Sequence, residues 1–413
     1  MVALPKSSAL GQSTKSLRRN TLFRRTRAEL FGLHRDIAAA LAAMPDSDPE
    51  RPVALTNLRN IRRVLKAAEP RPLVSRATAR SSRSDILAFG SARAGGREET
   101  DMAGDKISRV AAIGTGTIGA SWTVVFLARG LTVAASDPAP GAETFLHEFV
   151  GAAWPSLARL SPLPAEPPWA ALTFHTEPEP ALAGAEFVQE SAPEREELKR
   201  DLLAQLDAVL DPEIVIASSS SGLLMSRLQN DCRHPERCVI GHPFNPPHLV
   251  PLVEVVGGEK TGSAAIERAL AFYTAIGKQP IHIRREVPGH VANRLQAALW
   301  REALHLVAEG IASVADVDTA ISAGPGLRWA LMGPHLTFHL AGGVGGIDHF
   351  LDQFAAPMVN WWETLGNPTL TSELKERLAA GITAEVAGRG IAELAAWRDR
   401  FLVDLLALRA GQK

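Results

Sequence analysis

From residue 106 onward, short apolar runs alternate with longer helical stretches. Residues 110–113 are apolar, a glycine cluster follows, and 118–129 reads as an apolar helix stopped by Gly130. Residues 131–136 form a second apolar run. Strand-like runs recur at 185–190, 214–218, 238–241 and 252–256, with a helical stretch at 194–210 between two of them. Strands that alternate with helices predict a parallel sheet covered by helices on both faces. Beyond Pro288 the strand pattern stops. Residues 291–309, 314–323, 349–365 and 371–408 read as mainly helical, and no short internal repeat is visible.

Residues 1–101 have a different character, rich in Arg, Ser, Ala and Pro. Helical patterns cover 26–44 and 55–68, and 75–96 reads as a linker. This segment holds 19 Lys and Arg against 10 Asp and Glu, although the whole chain has a net charge of −1. The remainder is therefore mildly acidic and has no general attraction to nucleic acid. Arg18, Arg19, Arg24, Arg25 and Arg27 resemble a basic arm, which leaves nucleic-acid contact or targeting open for this segment alone. Asp46, Asp48 and Glu50 speak against a transit peptide, and no apolar stretch suits a secretory signal. The composition changes abruptly at Met102. The expectation is a basic, poorly ordered or accessory extension, with a small helical module as the alternative.

Composition narrows the class further. Of 413 residues, 46% are hydrophobic and 22% charged, as in soluble proteins of two or three domains. No run approaches the roughly 20 apolar residues that span a bilayer. The two cysteines, Cys232 and Cys238, lack the spacing of a zinc or redox motif. They read as free thiols in a reducing cytoplasm, and no metal site is expected.

The glycine cluster carries the first chemistry. Gly114-Thr-Gly116-Thr-Ile-Gly119 follows a strand and opens a helix. The first glycine permits a tight turn, the second lets backbone approach a pyrophosphate, and the third lets helix pack on strand. Thr117 and Ile118 start a helix whose free N–H groups face the phosphates. Asp137, 18 residues beyond Gly119, ends the next strand, where a carboxylate can accept both ribose hydroxyls. It would repel a 2′-phosphate, so NAD is expected rather than NADP. The fold class is thus an α/β Rossmann-type domain, 106–287, followed by an all-α C-terminal domain, 288–413.

The second informative stretch is Cys238-Val-Ile-Gly-His-Pro-Phe-Asn-Pro-Pro-His-Leu-Val-Pro-Leu-Val-Glu254. It puts His242 at the C-terminal end of a strand, where ligands bind in such sheets. Alcohol oxidation needs a base near neutral pH, and histidine is that base. Glu254, twelve residues on at the end of an interrupted extended segment, would hold its other nitrogen.

This stretch resembles the signature of the 3-hydroxyacyl-CoA dehydrogenase superfamily: a His, an aromatic, Asn-Pro, then Leu-Val-Glu. So do Arg285-Glu-Val-Pro-Gly-His-Val-Ala-Asn-Arg-Leu295, Val188-Gln-Glu-Ser-Ala-Pro-Glu194 and Ala217-Ser-Ser-Ser-Ser-Gly-Leu223. The resemblance runs over about residues 107–345. It implies His242 as catalytic base, Glu254 as its partner, Asn293 on the substrate oxygen or an active-site water, and Ser221 on the reacting oxygen. It places Glu194, Lys199 and Asn245 where the family contacts the nicotinamide nucleoside or supports the base. His290 departs from the usual aromatic, and Ser219 from a frequent Asn.

Within that superfamily, His242-Pro-Phe-Asn-Pro-Pro-His248, Glu302-Ala-Leu-His-Leu-Val-Ala-Glu-Gly310 and Gly326-Leu-Arg-Trp-Ala-Leu-Met-Gly333 resemble the lambda-crystallin, L-gulonate dehydrogenase and L-carnitine dehydrogenase branch. Gly257-Gly-Glu-Lys-Thr261, Leu299-Trp-Arg-Glu-Ala-Leu-His-Leu-Val307, His349-Phe-Leu-Asp-Gln-Phe354 and Trp361-Trp-Glu-Thr-Leu365 look most like carnitine 3-dehydrogenases. The resemblance implies a small-molecule 3-hydroxy acid substrate and a homodimer formed through the helical domain. L-gulonate, a 3-hydroxyacyl-CoA such as 3-hydroxybutyryl-CoA, and a non-catalytic crystallin-like role are the alternatives. Five of eight tryptophans, Trp300, Trp329, Trp361, Trp362 and Trp397, fall late in the chain. A trimethylammonium group donates no hydrogen bond and is held by aromatic faces, each worth about 0.5–2 kcal/mol. Trp329 and Phe244 are candidate faces, and Arg301 or Arg328 a candidate partner for a carboxylate. Core packing at helical spacing is the alternative for each tryptophan.

Overall fold

The computed structural model describes residues 37, 41, 45, 48, 51–67 and 107–411. The chain divides into two compact units, Met1–Ile86 and Leu87–Lys413. In the first, helix α1 (Arg51–Ala67) begins four residues before the expected 55. Ala54, Asn57 and Ile61 are buried, a spacing that puts them on one helix face. Ile37 and Leu41 are helical and buried, in accord with the pattern over 26–44. The rest of that stretch, the arginine cluster and the 75–96 linker lie outside the described residues.

The second unit is built on eight strands: β1 (Arg109–Ile113), β2 (Thr132–Ser136), β3 (Leu172–His175), β4 (Phe187–Glu190), β5 (Val215–Ser218), β6 (Cys238–Pro243), β7 (Leu252–Gly257) and β8 (Gln279–Ile283). Their order in the sheet is β3-β2-β1-β4-β5-β6-β7-β8. The chain winds outward from β1 on one side and returns through β4 on the other. The C-terminal ends of β1 and β4 thus flank a topological switch point, where such sheets bind ligands.

Both faces of the sheet are covered. Val110 and Ala112 pack with Trp122 and Phe126 of α2 (Thr117–Ala128), Trp154 of α3 (Ala142–Ala158) and Phe272 of α7 (Ser263–Ala275). Ala111 and Ile113, pointing the other way, pack with Leu203 and Leu206 of α5 (Glu196–Val209), and with Met225 and Leu228 of α6 (Met225–Leu228). A short helix, α4 (Pro178–Leu182), precedes β4. Burial on two faces explains why the strands read as continuous apolar runs rather than alternating ones.

Two strands lie outside the sequence reading, for physical reasons. β3 is an edge strand whose burial fades along its length, and β8 is an edge strand containing Pro280 with mostly exposed side chains. The parallel expectation needs one correction. β6 and β7 pair antiparallel, while the other ladders are parallel. Only residues 244–251 join them, too few for the crossover of a dozen or more residues that a parallel pair needs. Glu254 accordingly stands inside β7 rather than at the end of an extended segment, and it is the direct cross-strand partner of His242.

After β8 the described chain is helical: α8 (Ala292–Ala308), α9 (Val314–Ser322), α10 (Pro325–Trp329), α11 (Pro334–Ala341), α12 (Gly346–Thr364), α13 (Ser372–Val386) and α14 (Ile391–Ala410). The single stretch expected over 371–408 is broken by Ala387 and Gly388, both in the left-handed region. Val307, Val314, Val317 and Leu374 form a small interior. Many large apolar side chains stay exposed, all five late tryptophans among them. Within this chain, therefore, none of those tryptophans is core packing.

A chain starting at Lys106 should fold and keep both NADH binding and activity, because the sheet and its two cores draw on residues from 107 onward. Soluble expression, circular dichroism and an NADH titration check this. Insoluble protein would show that the first unit is needed to complete the second.

Candidate active site

The glycine loop leaves β1 and enters α2. Gly114 has φ +86°, and a Cβ there would stand 2.7 Å from the backbone of Ser191. At Gly119 a Cβ would stand 1.7 Å from the Gly114 carbonyl oxygen, so the third glycine closes the loop on itself. Gly116 has no atom within 4 Å of its Cβ position. Its backbone faces open space, as a cradle for a pyrophosphate requires. Asp137 accepts hydrogen bonds from the N–H groups of Thr115 (2.7 Å) and Ala139 (2.9 Å), tying the loop to the end of β2. Gly114, Gly116, Thr117, Ile118 and Asp137 line one cleft of about 1010 Å³. The donor set and the open Gly116 fit a dinucleotide, and Asp137 stands in the wall of the same cleft.

A second cavity, of about 580 Å³, adjoins it and shares Ile118, Ser191 and Ala192. His242, Phe244, Asn245, Asn293, Ser221, Glu194 and Lys199 all line it. The structure thus brings together residues that the sequence spreads over a hundred positions. It does not bring Trp329, Arg301 or Arg328 there. They are exposed on the helical segment, outside this lining.

His242 Nδ1 lies 2.8 Å from Glu254 Oε2, and both side chains are buried. Nε2 is left to face the pocket. Glu254 Oε1 accepts the N–H groups of Val291 and Ala292, each at 2.9 Å, at the N-terminus of α8. Burial alone would raise the Glu254 pKa. The bonds from His242, Ala292 and Val291 outweigh it and hold the carboxyl below its ordinary value. The helix dipole favours the same charge. The carboxylate is therefore held ionised and orients the imidazole through Nδ1.

Glu194 lines the cavity and also anchors the serine loop. Its Oε1 accepts from Ser220 Oγ (2.8 Å), the Ser221 N–H (2.8 Å) and the Gly222 N–H (3.1 Å), fastening the loop that carries Ser221. Burial would raise this carboxyl, but Ser220, Lys199 and the loop N–H groups bring it down. Lys199 is buried and bonds both oxygens of Glu190, at 2.8 and 3.0 Å, and lies 3.8 Å from Glu194. Asn293 Nδ2 donates to the Ser221 carbonyl at 3.1 Å, so the serine loop and α8 hold one another.

Sequence reasoning did not single out Glu190 or Gln296, and it noted His290 only as a departure from the usual aromatic. Glu190 sits inside the quoted stretch ending at Glu194, and its signal was a carboxylate at a strand end. Gln296 lies one helical turn after Asn293 and lines the same cavity. His290 is buried in the left-handed region (φ 51°), with its ring 5.3 Å from that of His242. Its Nε2 lies 3.2 Å from the Ser220 carbonyl oxygen, and burial lowers its pKa, which keeps it neutral beside the base.

Residues 109–287 match the family model for the 3-hydroxyacyl-CoA dehydrogenase NAD binding domain, and residues 289–378 match that for its C-terminal domain. The chain is 54% identical to an L-carnitine dehydrogenase of Streptomyces coelicolor over 73% of its own length and 95% of the relative's. It is 47% identical to an L-carnitine dehydrogenase of Pseudomonas aeruginosa, over 73% and 94%. Among solved structures it resembles a 5-formyl-3-hydroxy-2-methylpyridine 4-carboxylic acid 5-dehydrogenase, described as an NAD+-dependent dismutase. There the TM-score is 0.64 at 29% identity, over 75% of this chain and all of the other.

Two alanine substitutions separate packing from binding in the loop. Gly116→Ala should leave the melting temperature unchanged but weaken NADH binding, since its Cβ enters only open space. Gly119→Ala should lower both, since its Cβ meets backbone. Thermal melts and NADH fluorescence titrations distinguish them. Equal effects of the two changes would contradict the assignment.

Proposed function

The chain belongs to the 3-hydroxyacyl-CoA dehydrogenase family, and from this premise we propose that it oxidises the 3-hydroxyl of L-carnitine, giving 3-dehydrocarnitine, with His242 as general base. It is an NAD-dependent oxidoreductase. NAD supplies the hydride acceptor when bound in the glycine-loop cleft. His242 Nε2 takes the hydroxyl proton as hydride leaves C3. Glu254 fixes the tautomer through Nδ1 and stabilises the imidazolium that forms. Asn293 has a second amide hydrogen for the substrate oxygen, and Ser221 lies beside it in the same cavity. The observation that carries the mechanism is the buried His242–Glu254 bond opening onto a cavity beside the dinucleotide cleft.

The substrate reading rests on the L-carnitine dehydrogenases that the chain matches along nearly their whole length. Phe244, its ring 5.1 Å from that of His242, is an aromatic face within the cavity. Trp329, Arg301 and Arg328 would meet the trimethylammonium and carboxylate ends only on closure of the helical segment or from a second copy. A homodimer through that segment belongs to the same proposal. It is supported by Leu295, Leu299, Trp300 and Trp361, which are large, apolar and exposed there. Among the described residues no helix is long and apolar enough to cross a membrane. We place the enzyme in the cytoplasm, where Cys232 and Cys238, free thiols 3.9 Å apart, would stay reduced.

An NAD-reduction assay with L-carnitine, D-carnitine, L-gulonate and 3-hydroxybutyryl-CoA should give the highest kcat/KM for L-carnitine. Preference for either of the last two would overturn the substrate and leave the reaction type intact. His242→Ala should lower kcat by about 10²–10⁴ while NADH binding stays near normal. Wild-type turnover in that variant would remove His242 from the mechanism.

A further inference from the structure

A third cavity, of about 290 Å³, lies behind the loop joining β6 to β7, and its lining shares no residue with the His242 pocket. Arg129 at the end of α2, Lys278 before β8 and Arg409 of α14 all line it, with His248 of the loop. No Asp or Glu does. The remaining wall is largely aliphatic, from residues such as Leu157, Ile276 and Leu406.

Among the described residues Arg129, Lys278 and Arg409 form no salt bridge, and the carboxylate of Asp399 acts on His248 from outside the lining. Lys278 is buried and forms no ion pair among the described residues. Its Nζ donates to the carbonyl oxygens of Pro247 and Val250 and stands 5.2 Å from the centre of the Trp122 ring. Among the described residues the Arg129 side chain has neither a hydrogen bond nor a salt bridge. Its guanidinium lies over Gly277, where a Cβ would approach Nη2 to 2.3 Å. Among the described residues the Arg409 side chain donates only to the carbonyl oxygen of Ala330, at 3.1 Å. Burial and then the nearby Arg129 charge push the Lys278 pKa down to about 7. Lys278 is the buried one of the three cations, and an anion beside the exposed Arg129 and Arg409 offsets the repulsion that Arg129 exerts on it.

We propose that this cavity binds a small oxyanion, a phosphate or a short-chain carboxylate, through Arg129 and Arg409 with Lys278 behind them. The site is coupled to the loop that carries Phe244 and Asn245. Lys278 holds that loop by two carbonyls, and His248 Nδ1 lies 2.8 Å from Ser121 Oγ of α2. An anion that offsets the Arg129 charge favours the charged form of Lys278 and so strengthens its hold on the loop.

The test uses the full chain with saturating NADH, so that the pyrophosphate cradle is already filled. Sodium phosphate and sodium butyrate are titrated separately against sodium chloride at constant ionic strength and pH, and melting temperature is followed. A saturable rise of a few degrees with at least one oxyanion is expected. Phosphate alone would assign an inorganic or phosphoryl ligand, and butyrate alone a carboxylate. Arg129→Gln and Arg409→Gln, both at exposed positions, should lose the saturable part and keep NADH affinity. No saturable rise with either anion, or an undiminished rise in both variants, would overturn the proposal.

Discussion

One buried carboxylate joins the two halves of the second unit. Glu254 gives one oxygen to His242 on the neighbouring strand and the other to two N–H groups at the start of α8. A lone carboxylate in that position would be neutralised by burial. Three donors and a helix dipole keep it ionised instead. Its charge orients the imidazole, and its second oxygen fixes where α8, and with it Asn293, meets the sheet. Strand register matters here more than elsewhere. A one-residue slip between β6 and β7 would turn His242 and Glu254 to opposite faces.

The rest of the site is arranged around that point by short chains of contact. Glu190, at the end of β4, holds Lys199, and Lys199 approaches Glu194. Glu194 gathers the Ser220–Gly222 backbone, and Asn293 closes the circuit from α8 onto Ser221. The dinucleotide cleft and the His242 cavity share Ile118, Ser191 and Ala192, which follow β1 and β4 at the switch point. Fold topology thus sets cofactor and base side by side before any side chain chooses a substrate.

Much of this was legible in the chain. The glycine loop reads well because its three glycines answer three steric demands within six residues, and a neighbouring strand and helix repeat the message. His242 and Glu254 could be paired because both lie on strands joined by one short loop. What stayed hidden depends on contacts between distant segments. The antiparallel turn of β7 was masked by apolar runs that look alike in either direction, though the eight-residue connection was a clue. β3 and β8 are edge strands with too little buried surface to leave a pattern. Glu194 serves the serine loop because that loop folds back onto it from 26 residues away. The late tryptophans carry an apolar signal that this chain alone does not bury.

The central claim is that hydride leaves C3 of a 3-hydroxy acid while His242 takes the proton. Incubating the enzyme with L-carnitine deuterated at C3 and NAD, and examining the NADH by mass spectrometry and NMR, tests it most directly. The account predicts NADH carrying one deuterium at nicotinamide C4. NADH formed from this substrate without deuterium, or no NADH at all, would contradict it.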